Sequence, residues 1–274
     1  MNNRKIKPFL RWAGGKNWLI KVIDQYLPSE FNTYHELFVG GGSILIHLLN
    51  KELIKTNAIL SDINTDLILT YNVVKNDADS LILDLKKHKN EKQYYYNIRA
   101  KKYRDPIKRS SRFIYLNRTS FNGIYRENLK GQYNVPFGNK QYKELFDYKN
   151  LKELMNPFSN CQFIPDDFEN QFDNIKRNDL VFLDPPYTVA HENNSFIKYN
   201  QKIFSWKDQE RLKYFVSEIE KKGAYYLLTN AAHQSIKDLY KSVGNIHTEM
   251  RYSVIGGKKA RRELYSEYLI TNIK

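Results

Sequence analysis

Asp184-Pro185-Pro186-Tyr187 directly follows the apolar run Leu180-Val181-Phe182-Leu183. These residue types, in this order, suit a flat ring that carries an amino group. Asp184 can accept a hydrogen bond from an exocyclic NH2. The carbonyl of Pro185 can accept a second, because prolines interrupt the strand ladder that would otherwise use it. Tyr187 supplies a stacking face. The prolines narrow the backbone choices, so both acceptors are set before a substrate arrives. A plain proline-rich turn at the end of a buried strand carries the same four letters, so other parts of the chain must decide between the two readings.

A second constellation lies upstream. His35-Glu36-Leu37-Phe38-Val39 reads as a buried strand that runs into Gly40-Gly41-Gly42-Ser43 and an apolar helix over residues 44–49. Ala58-Ile59-Leu60 reads as the next strand, ending at Ser61-Asp62. Strand, glycine turn, helix and strand make a βαβ unit, which predicts parallel pairing and a right-handed crossover. Glycines at the carboxyl end of a first strand let a ligand approach the backbone closely. Asp62, about twenty residues further on, has the placement of a ribose-binding acid. No G-K-[ST] follows the glycines, so the turn suits a nucleoside better than a triphosphate. Phe9-Leu10-Arg11-Trp12-Ala13-Gly14-Gly15-Lys16 gathers an aromatic ring, two glycines and a cation. It reads either as a helix entry with a packed Trp12 or as a ligand segment in which Lys16 meets a carboxylate.

The elements that must hold these residues fall into three blocks. Residues 8–65 alternate strands and helices. Residues 66–150 lose that rhythm: they are helical and basic up to Tyr115, then loop-like through Asn117-Arg118-Thr119-Ser120-Phe121-Asn122-Gly123. A hairpin follows, with Lys130-Gly131 as its turn and residues 133–137 as the return arm. From about residue 160 the α/β pattern resumes, with strands at 161–164, 180–183, 225–229 and 265–271. Ser205 opens a helix with Asp208 three residues on, a capping box with Asp in place of Glu. Leu212, Phe215, Val216 and Ile219 fall on one face of that helix, and Gly223 closes it. The polar stretch 188–204 reads equally as a lid or as a plain surface loop. This pattern predicts an α/β fold with an inserted, mainly helical module containing a β-hairpin.

The totals bound the partners. The chain has 274 residues and a formal net charge of +14, with a pI near 9.5. Such an excess favours a polyanion over a small neutral substrate. Basic residues thicken at 86–92, 99–112 and 258–262. The 21 tyrosines, several interleaved with Lys and Arg, suit nucleic acid, although AT-rich coding raises the same residues. A single cysteine, Cys161, excludes a disulfide framework and a Cys-based zinc site. The scattered histidines read as surface or packing residues rather than ligands, so no metal is expected. No apolar stretch nears the length of a bilayer span, and the basic start does not lead into a signal-peptide core. No membrane association and a cytoplasmic protein are expected.

The motifs now fall into a known order. Residues 11–16, residues 36–43, Ser61-Asp62-Ile63-Asn64, residues 117–138 and Asp184-Pro185-Pro186-Tyr187 resemble, in sequence, the motifs of the Dam-type DNA adenine-N6 methyltransferases, the D12 class and alpha group. The similarity spans nearly the whole chain. It implies a Rossmann-like S-adenosylmethionine-dependent methyltransferase sheet, with residues 1–65 and 151–274 as the catalytic domain and 66–150 as the target-recognition domain. It implies S-adenosylmethionine binding by Trp12, Ala13, Gly14, Lys16, Glu36, Phe38, Gly40, Gly42, Ser43, Asp62 and Asp184, with Asp167 and Phe168 at the cofactor adenine. Asp184, Pro185, Pro186 and Tyr187 become the catalytic set.

The implied partner is double-stranded DNA. The target N6 is shielded in a duplex, so the adenine must flip out and stack on Tyr187. The resemblance assigns Arg126 to a guanine, through O6 and N7, with Asn122, Ile124, Asn134 and Pro136 near base edges. Phe121 takes the place of a wedge beside the displaced base, and Arg118 that of a phosphate contact. Asn134-Val135-Pro136-Phe137-Gly138 makes GATC the preferred site, with a longer GAT-containing site as the alternative. Whether a companion restriction endonuclease reads the same site stays open. Methylation of RNA or of a protein glutamine fits less well, because related motifs there begin with Asn. A DNA-binding protein that has lost catalysis fits poorly with an intact Asp184, Tyr187 and Gly40.

Overall fold

The computed structural model describes residues 5–12, 14–128, 131–188, 204–252 and 264–274. The strands are β1 (Tyr34–Glu36), β2 (Ala58–Asp62), β3 (Cys161–Pro165), β4 (Leu180–Leu183), β5 (Tyr225–Ala231), β6 (Asn245–Tyr252) and β7 (Leu264–Thr271), and short apolar runs mark β2 and β4. They form one seven-stranded sheet in the order β3-β2-β1-β4-β5-β7-β6. β4 pairs parallel with β1 and β5. β7 runs antiparallel to β5 and β6. The order 3-2-1-4-5 is that of doubly wound nucleotide-binding sheets, in which ligands meet the carboxyl ends of the strands. The expected α/β fold is therefore observed.

The chain packs as two compact units. The first comprises Met1–Ile20, Val39–Ile54 and Leu60–Pro165. It holds α1 (Ser43–Asn50), α2 (Thr65–Leu85), α3 (Lys92–Ala100), α4 (Pro106–Thr119) and α5 (Tyr148–Glu153). Asn64 caps α2 by accepting from the Leu67 N–H at 3.0 Å. Inside α2, Asp77 leaves helical geometry and caps the second half through Ser80 N–H at 3.1 Å. α4 begins Asp105-Pro106, an N-cap followed by proline at the first helical position.

α4 continues to Thr119, so the loop expected from Asn117 starts later. The polar letters misled because their side chains find partners within the fold. Asn117 brackets Arg11, accepting from its N–H at 2.8 Å and donating to its carbonyl at 2.6 Å. Thr119 donates back to the Tyr115 carbonyl at 2.7 Å. The hairpin arms do face each other, with antiparallel bridges Glu127–Tyr133 and Ser120–Phe137. They form no regular strands, since Pro136 has no N–H for a ladder. Lys130 of the expected turn lies outside the described residues.

The second unit comprises Lys21–Phe38, Lys55–Ile59 and Asp166–Lys274. Its core joins β4 and β5 to α6 (Trp206–Lys221) and α7 (Gln234–Tyr240). The capping box of α6 is reciprocal: Ser205 N–H donates to the Asp208 carboxylate at 2.8 Å, and Asp208 N–H donates to Ser205 Oγ at 3.3 Å. Leu212, Phe215, Val216 and Ile219 are all buried. Each contributes roughly 1.5–3 kcal/mol relative to exposure. Gly223 ends the helix at a φ of +78°.

The strands depart most from expectation at β1 and β6. β1 ends at Glu36 instead of Val39, because residues 37–38 already turn toward the glycines. β6 was not anticipated. It is an edge strand that leaves Met250 more than half exposed, so its letters lack a buried run. Residues 189–203, which contain the expected lid or loop, and the basic run 258–262 lie outside the described residues.

Candidate active site

In the first unit the glycine turn is built by contacts that only bare backbone allows. Gly40 has a φ of +46°, and a Cβ there would meet the Trp12 ring at 2.7 Å. Gly42 has a φ of +65°, and a Cβ would meet Tyr71 Oη at 2.7 Å. Tyr71 in turn donates to the Gly40 carbonyl at 3.0 Å. Asp62 closes the turn from the end of β2. Its carboxylate accepts Gly40 N–H at 3.1 Å and Asn64 N–H at 2.9 Å. Burial pushes the Asp62 carboxyl above the usual carboxylate range, against the pull of those two N–H groups. Ser43, buried, starts α1 directly after Gly42.

Trp12 stacks on Tyr125 with ring centroids 5.5 Å apart, and on Phe113 at 6.3 Å. Gly14 has a φ of +80°, and its carbonyl accepts from Lys16 Nζ at 3.0 Å. Lys16 is buried. Trp12, Gly14, Lys16, Gly40, Gly42, Ser43 and Asp62 thus share one unit, whereas Ala13 lies outside the described residues. The donor set fits a nucleoside bearing a carboxylate. Each Asp62 oxygen keeps acceptor capacity beyond its one N–H, the turn glycines let Trp12 and Tyr71 pack directly on the backbone, and Lys16 is a buried cation.

In the second unit Asp184 and Tyr187 follow β4. Asp184 Oδ1 accepts from Thr229 Oγ1 on β5 at 2.7 Å. Tyr187 Oη donates to Glu267 Oε2 on β7 at 2.5 Å. Pro185 is buried, and its carbonyl makes no hydrogen bond among the described residues. The next residue, Thr188, accepts from the amide of Gln209 on α6 at 3.0 Å, and Gln209 also receives Asn230 and Tyr240. The sequence reading missed Thr229, Glu267 and Gln209. The legible signal was Glu267 itself, a lone carboxylate in the strand Tyr265-Ser266-Glu267-Tyr268-Leu269-Ile270.

The other residues of the second unit are placed as follows. Glu36 is buried and accepts from Tyr34 Oη at 2.8 Å. Phe38 packs on Phe168 at 5.4 Å and on Phe204 at 5.7 Å. Phe168 is a core residue, with its ring against Phe215 at 5.4 Å. Asp167 accepts from Glu169 N–H at 3.0 Å and from Arg211 at 2.8 Å. The Arg211 guanidinium lies 5.0 Å over the Phe168 ring. His35, read as packing, is buried and bonded to Asp179 at 3.0 Å. Among the described residues no group of three or more His, Cys, Asp or Glu is placed to hold a metal ion, and no helix is long and apolar enough to cross a membrane.

The segment after α4, in the first unit, gathers the residues expected at DNA. Phe121 is 52% exposed. Asn122, at a φ of +56°, and Arg126 are exposed as well. Arg126 Nε donates to Asn134 Oδ1 at 2.8 Å, and Asn134 N–H donates back to the Arg126 carbonyl at 3.1 Å. The two Nη groups of Arg126 make no hydrogen bond among the described residues. Pro136 is exposed and its carbonyl accepts from Phe121 N–H at 2.9 Å. Ile124 is half-buried. Arg118 differs: its Nε donates to the Leu145 carbonyl at 2.7 Å and its guanidinium lies 4.3 Å over Tyr142.

A doubly wound sheet with this glycine turn, this acid and an Asp-Pro-Pro-Tyr segment after its fourth strand defines a Rossmann-like methyltransferase. The chain belongs to the D12 class N6 adenine-specific DNA methyltransferase family, whose model matches residues 12–254. It is 39% identical to the type II methyltransferase M.MjaIII of Methanocaldococcus jannaschii, over 83% of this chain and 85% of that one. It is 31% identical to the type II methyltransferase M1.LlaDCHI of Lactococcus lactis, over 99% and 97% of the two chains. It is 34% identical to the DNA adenine methylase of Haemophilus influenzae, over 86% and 83%. Among solved structures, the precorrin 8w decarboxylase of Methanobacterium thermoautotrophicum is similar at a TM-score of 0.42 and 10% identity, covering 97% of this chain and 94% of that one. The protein is thus an adenine-specific DNA methyltransferase that uses S-adenosylmethionine.

Proposed function

We propose that this enzyme methylates N6 of an everted adenine within a short duplex site that contains GAT, with GATC preferred over a longer site. Arg126 carries this reading. It is exposed, its Nε is tied to Asn134, and its Nη pair is available for the O6 and N7 edge of a guanine. Asn122, Ile124, Asn134 and Pro136 contact neighbouring base edges, exposed Phe121 wedges beside the displaced base, and Arg118 holds phosphate while anchoring residues 142–145. Residues 66–150 form the target-recognition domain, and residues 1–65 and 151–274 form the catalytic domain.

S-adenosylmethionine, when bound, supplies a methyl group activated by a sulfonium. Its proposed contacts are Trp12, Ala13, Gly14, Lys16, Glu36, Phe38, Gly40, Gly42, Ser43, Asp62, Asp167, Phe168 and Asp184. The N6 lone pair of adenine is delocalised into the ring, which makes it a poor nucleophile. Asp184 and the Pro185 carbonyl accept the two N6 hydrogens and favour a tetrahedral nitrogen whose lone pair is localised. Pro186 stiffens the turn, and Tyr187 stacks on the ring and holds it in line. These groups would present the localised N6 lone pair to the methyl that bound S-adenosylmethionine would supply, with one N6 proton passing to solvent. Alignment supplies much of the rate.

The names of two relatives as type II methyltransferases support a restriction-modification role, with a companion endonuclease that reads the same site. The test is incubation with methyl-labelled S-adenosylmethionine and duplexes that differ by single base pairs around GAT, followed by digestion to nucleosides. Label in N6-methyldeoxyadenosine confined to GATC duplexes supports the reading. Label spread over duplexes without GAT, or found in RNA or protein instead, overturns it.

A further inference from the structure

Resting on the catalytic reading of Asp184 and Tyr187, we propose that Thr229 and Glu267 are positioning residues that fix those two side chains before the adenine arrives. β5 and β7 are antiparallel neighbours, with Ala231 opposite Glu267 and Thr229 opposite Leu269. Directly opposed residues share a face, and residues two apart along a strand share it as well. Thr229 and Glu267 therefore project from the same face of adjacent strands. Thr229 takes Asp184 Oδ1 at 2.7 Å, and Glu267 takes the Tyr187 hydroxyl at 2.5 Å.

Glu267 is 1% exposed and Thr229 fully buried. A carboxylate inside a sheet is costly to desolvate, and an apolar residue of similar volume there is often no less stable. The bond from a phenol to a carboxylate is short and strong, so it holds the tip of the Tyr187 ring, while the backbone after Pro186 holds its base. With both ends pinned, the plane of the stacking face is set. Thr229 does the same for the carboxylate, because a hydroxyl held on Oδ1 fixes rotation about the Cβ–Cγ bond and hence the direction of both oxygens. Gln209, bonded to Thr188, secures the next residue from α6.

The test compares single-turnover methyl transfer at saturating S-adenosylmethionine and duplex for Thr229→Val, Thr229→Ser, Glu267→Leu, Glu267→Gln, Tyr187→Phe and the double variant Tyr187→Phe/Glu267→Leu. Thr229→Val and Glu267→Leu are expected to slow transfer by about tenfold or more, with KM for S-adenosylmethionine and DNA affinity within about twofold of wild type. Thr229→Ser and Glu267→Gln recover most of the rate, because each keeps the bonding atom. The double variant is no slower than Tyr187→Phe, since Glu267 acts through the hydroxyl that variant lacks. Full rates in Thr229→Val and Glu267→Leu, or an added loss from Glu267→Leu in the Tyr187→Phe background, overturn the proposal. Should Glu267→Leu fail to fold, Thr229→Val against Thr229→Ser and Tyr187→Phe against wild type decide. A wild-type chain that transfers no methyl to DNA adenine would sink the catalytic reading itself, a different result.

Discussion

Asp62 and Gly40, 22 residues apart, are joined by a 3.1 Å hydrogen bond from the Gly40 N–H to the Asp62 carboxylate. The other carboxylate oxygen takes the Asn64 N–H. One side chain therefore ties the glycine turn to the end of β2 and to the start of α2. Asp62→Asn sets an amide NH2 against one of the two backbone donors. Affinity for S-adenosylmethionine is expected to fall about 10–100-fold, the worth of a charge-assisted hydrogen bond. Calorimetric titration checks it; an affinity within twofold of wild type contradicts the role of Asp62.

Gly40→Ala tests the close approach of Trp12. The new methyl meets the indole at 2.7 Å in a backbone of positive φ, a conformation that costs an L-residue about 1–2 kcal/mol. Trp12 must move, and cofactor affinity is expected to drop more than about tenfold. Gly131→Ala, also at positive φ but with nothing within 4 Å, incurs the backbone strain alone and leaves cofactor affinity unchanged. Equal cofactor binding by both variants would separate Trp12 from the site.

Asp184→Ala removes one of the two acceptors proposed for the N6 hydrogens. Single-turnover methylation is expected to fall by about 10²–10³-fold or more, by analogy with removal of one preorganised hydrogen-bonding group from an active site. Duplex affinity stays within a few-fold, as gel-shift titration would measure. Undiminished turnover rules out the assigned chemistry.

Arg126→Ala should relax sequence preference. The proposed guanine contact is worth about 1–3 kcal/mol at one base pair, so the kcat/KM ratio between the preferred duplex and a duplex changed at that pair is expected to shrink about 5- to 150-fold. A uniform loss across all duplexes would make Arg126 a phosphate contact instead.

His88 gives stability a pH dependence. Its ring stacks on Tyr115 at 4.3 Å and bonds to Tyr94 and Ser111. Burial holds its pKa down at about 4, outweighing the attraction of Asp84. The folded state keeps the ring neutral while the unfolded chain takes up a proton near pH 6.5. Stability is therefore full above about pH 6.5 and declines as pH falls toward 4, by at most about 3 kcal/mol. Urea unfolding at pH 7.5 and 5 should show a smaller drop for His88→Phe than for wild type. Parallel drops would remove His88 as the cause.

The part of the fold that local chemistry controls was open to reading. β4, the face of α6 with its capping box, and the glycine turn each depend on neighbours within a few residues: apolar runs, a Ser-to-Asp spacing, bare backbone. The limits that went astray have non-local causes. Asn117 stays helical with its side chain paired to Arg11, over a hundred residues earlier, and β6 exists because β7 offers it an edge.

The chemistry divides in the same way. Asp184, Pro185 and Tyr187 are contiguous, so their types and order present an acceptor pair and a ring beside the plainer reading of a proline-rich turn, and the Gly40 to Asp62 spacing suits a nucleoside turn. What orients them is contributed from distant strands. Thr229 and Glu267 meet Asp184 and Tyr187 only because β5 and β7 lie side by side in an antiparallel register. A hydrogen bond between residues 80 apart leaves no trace in local composition. It exists only once the sheet has chosen its strand order.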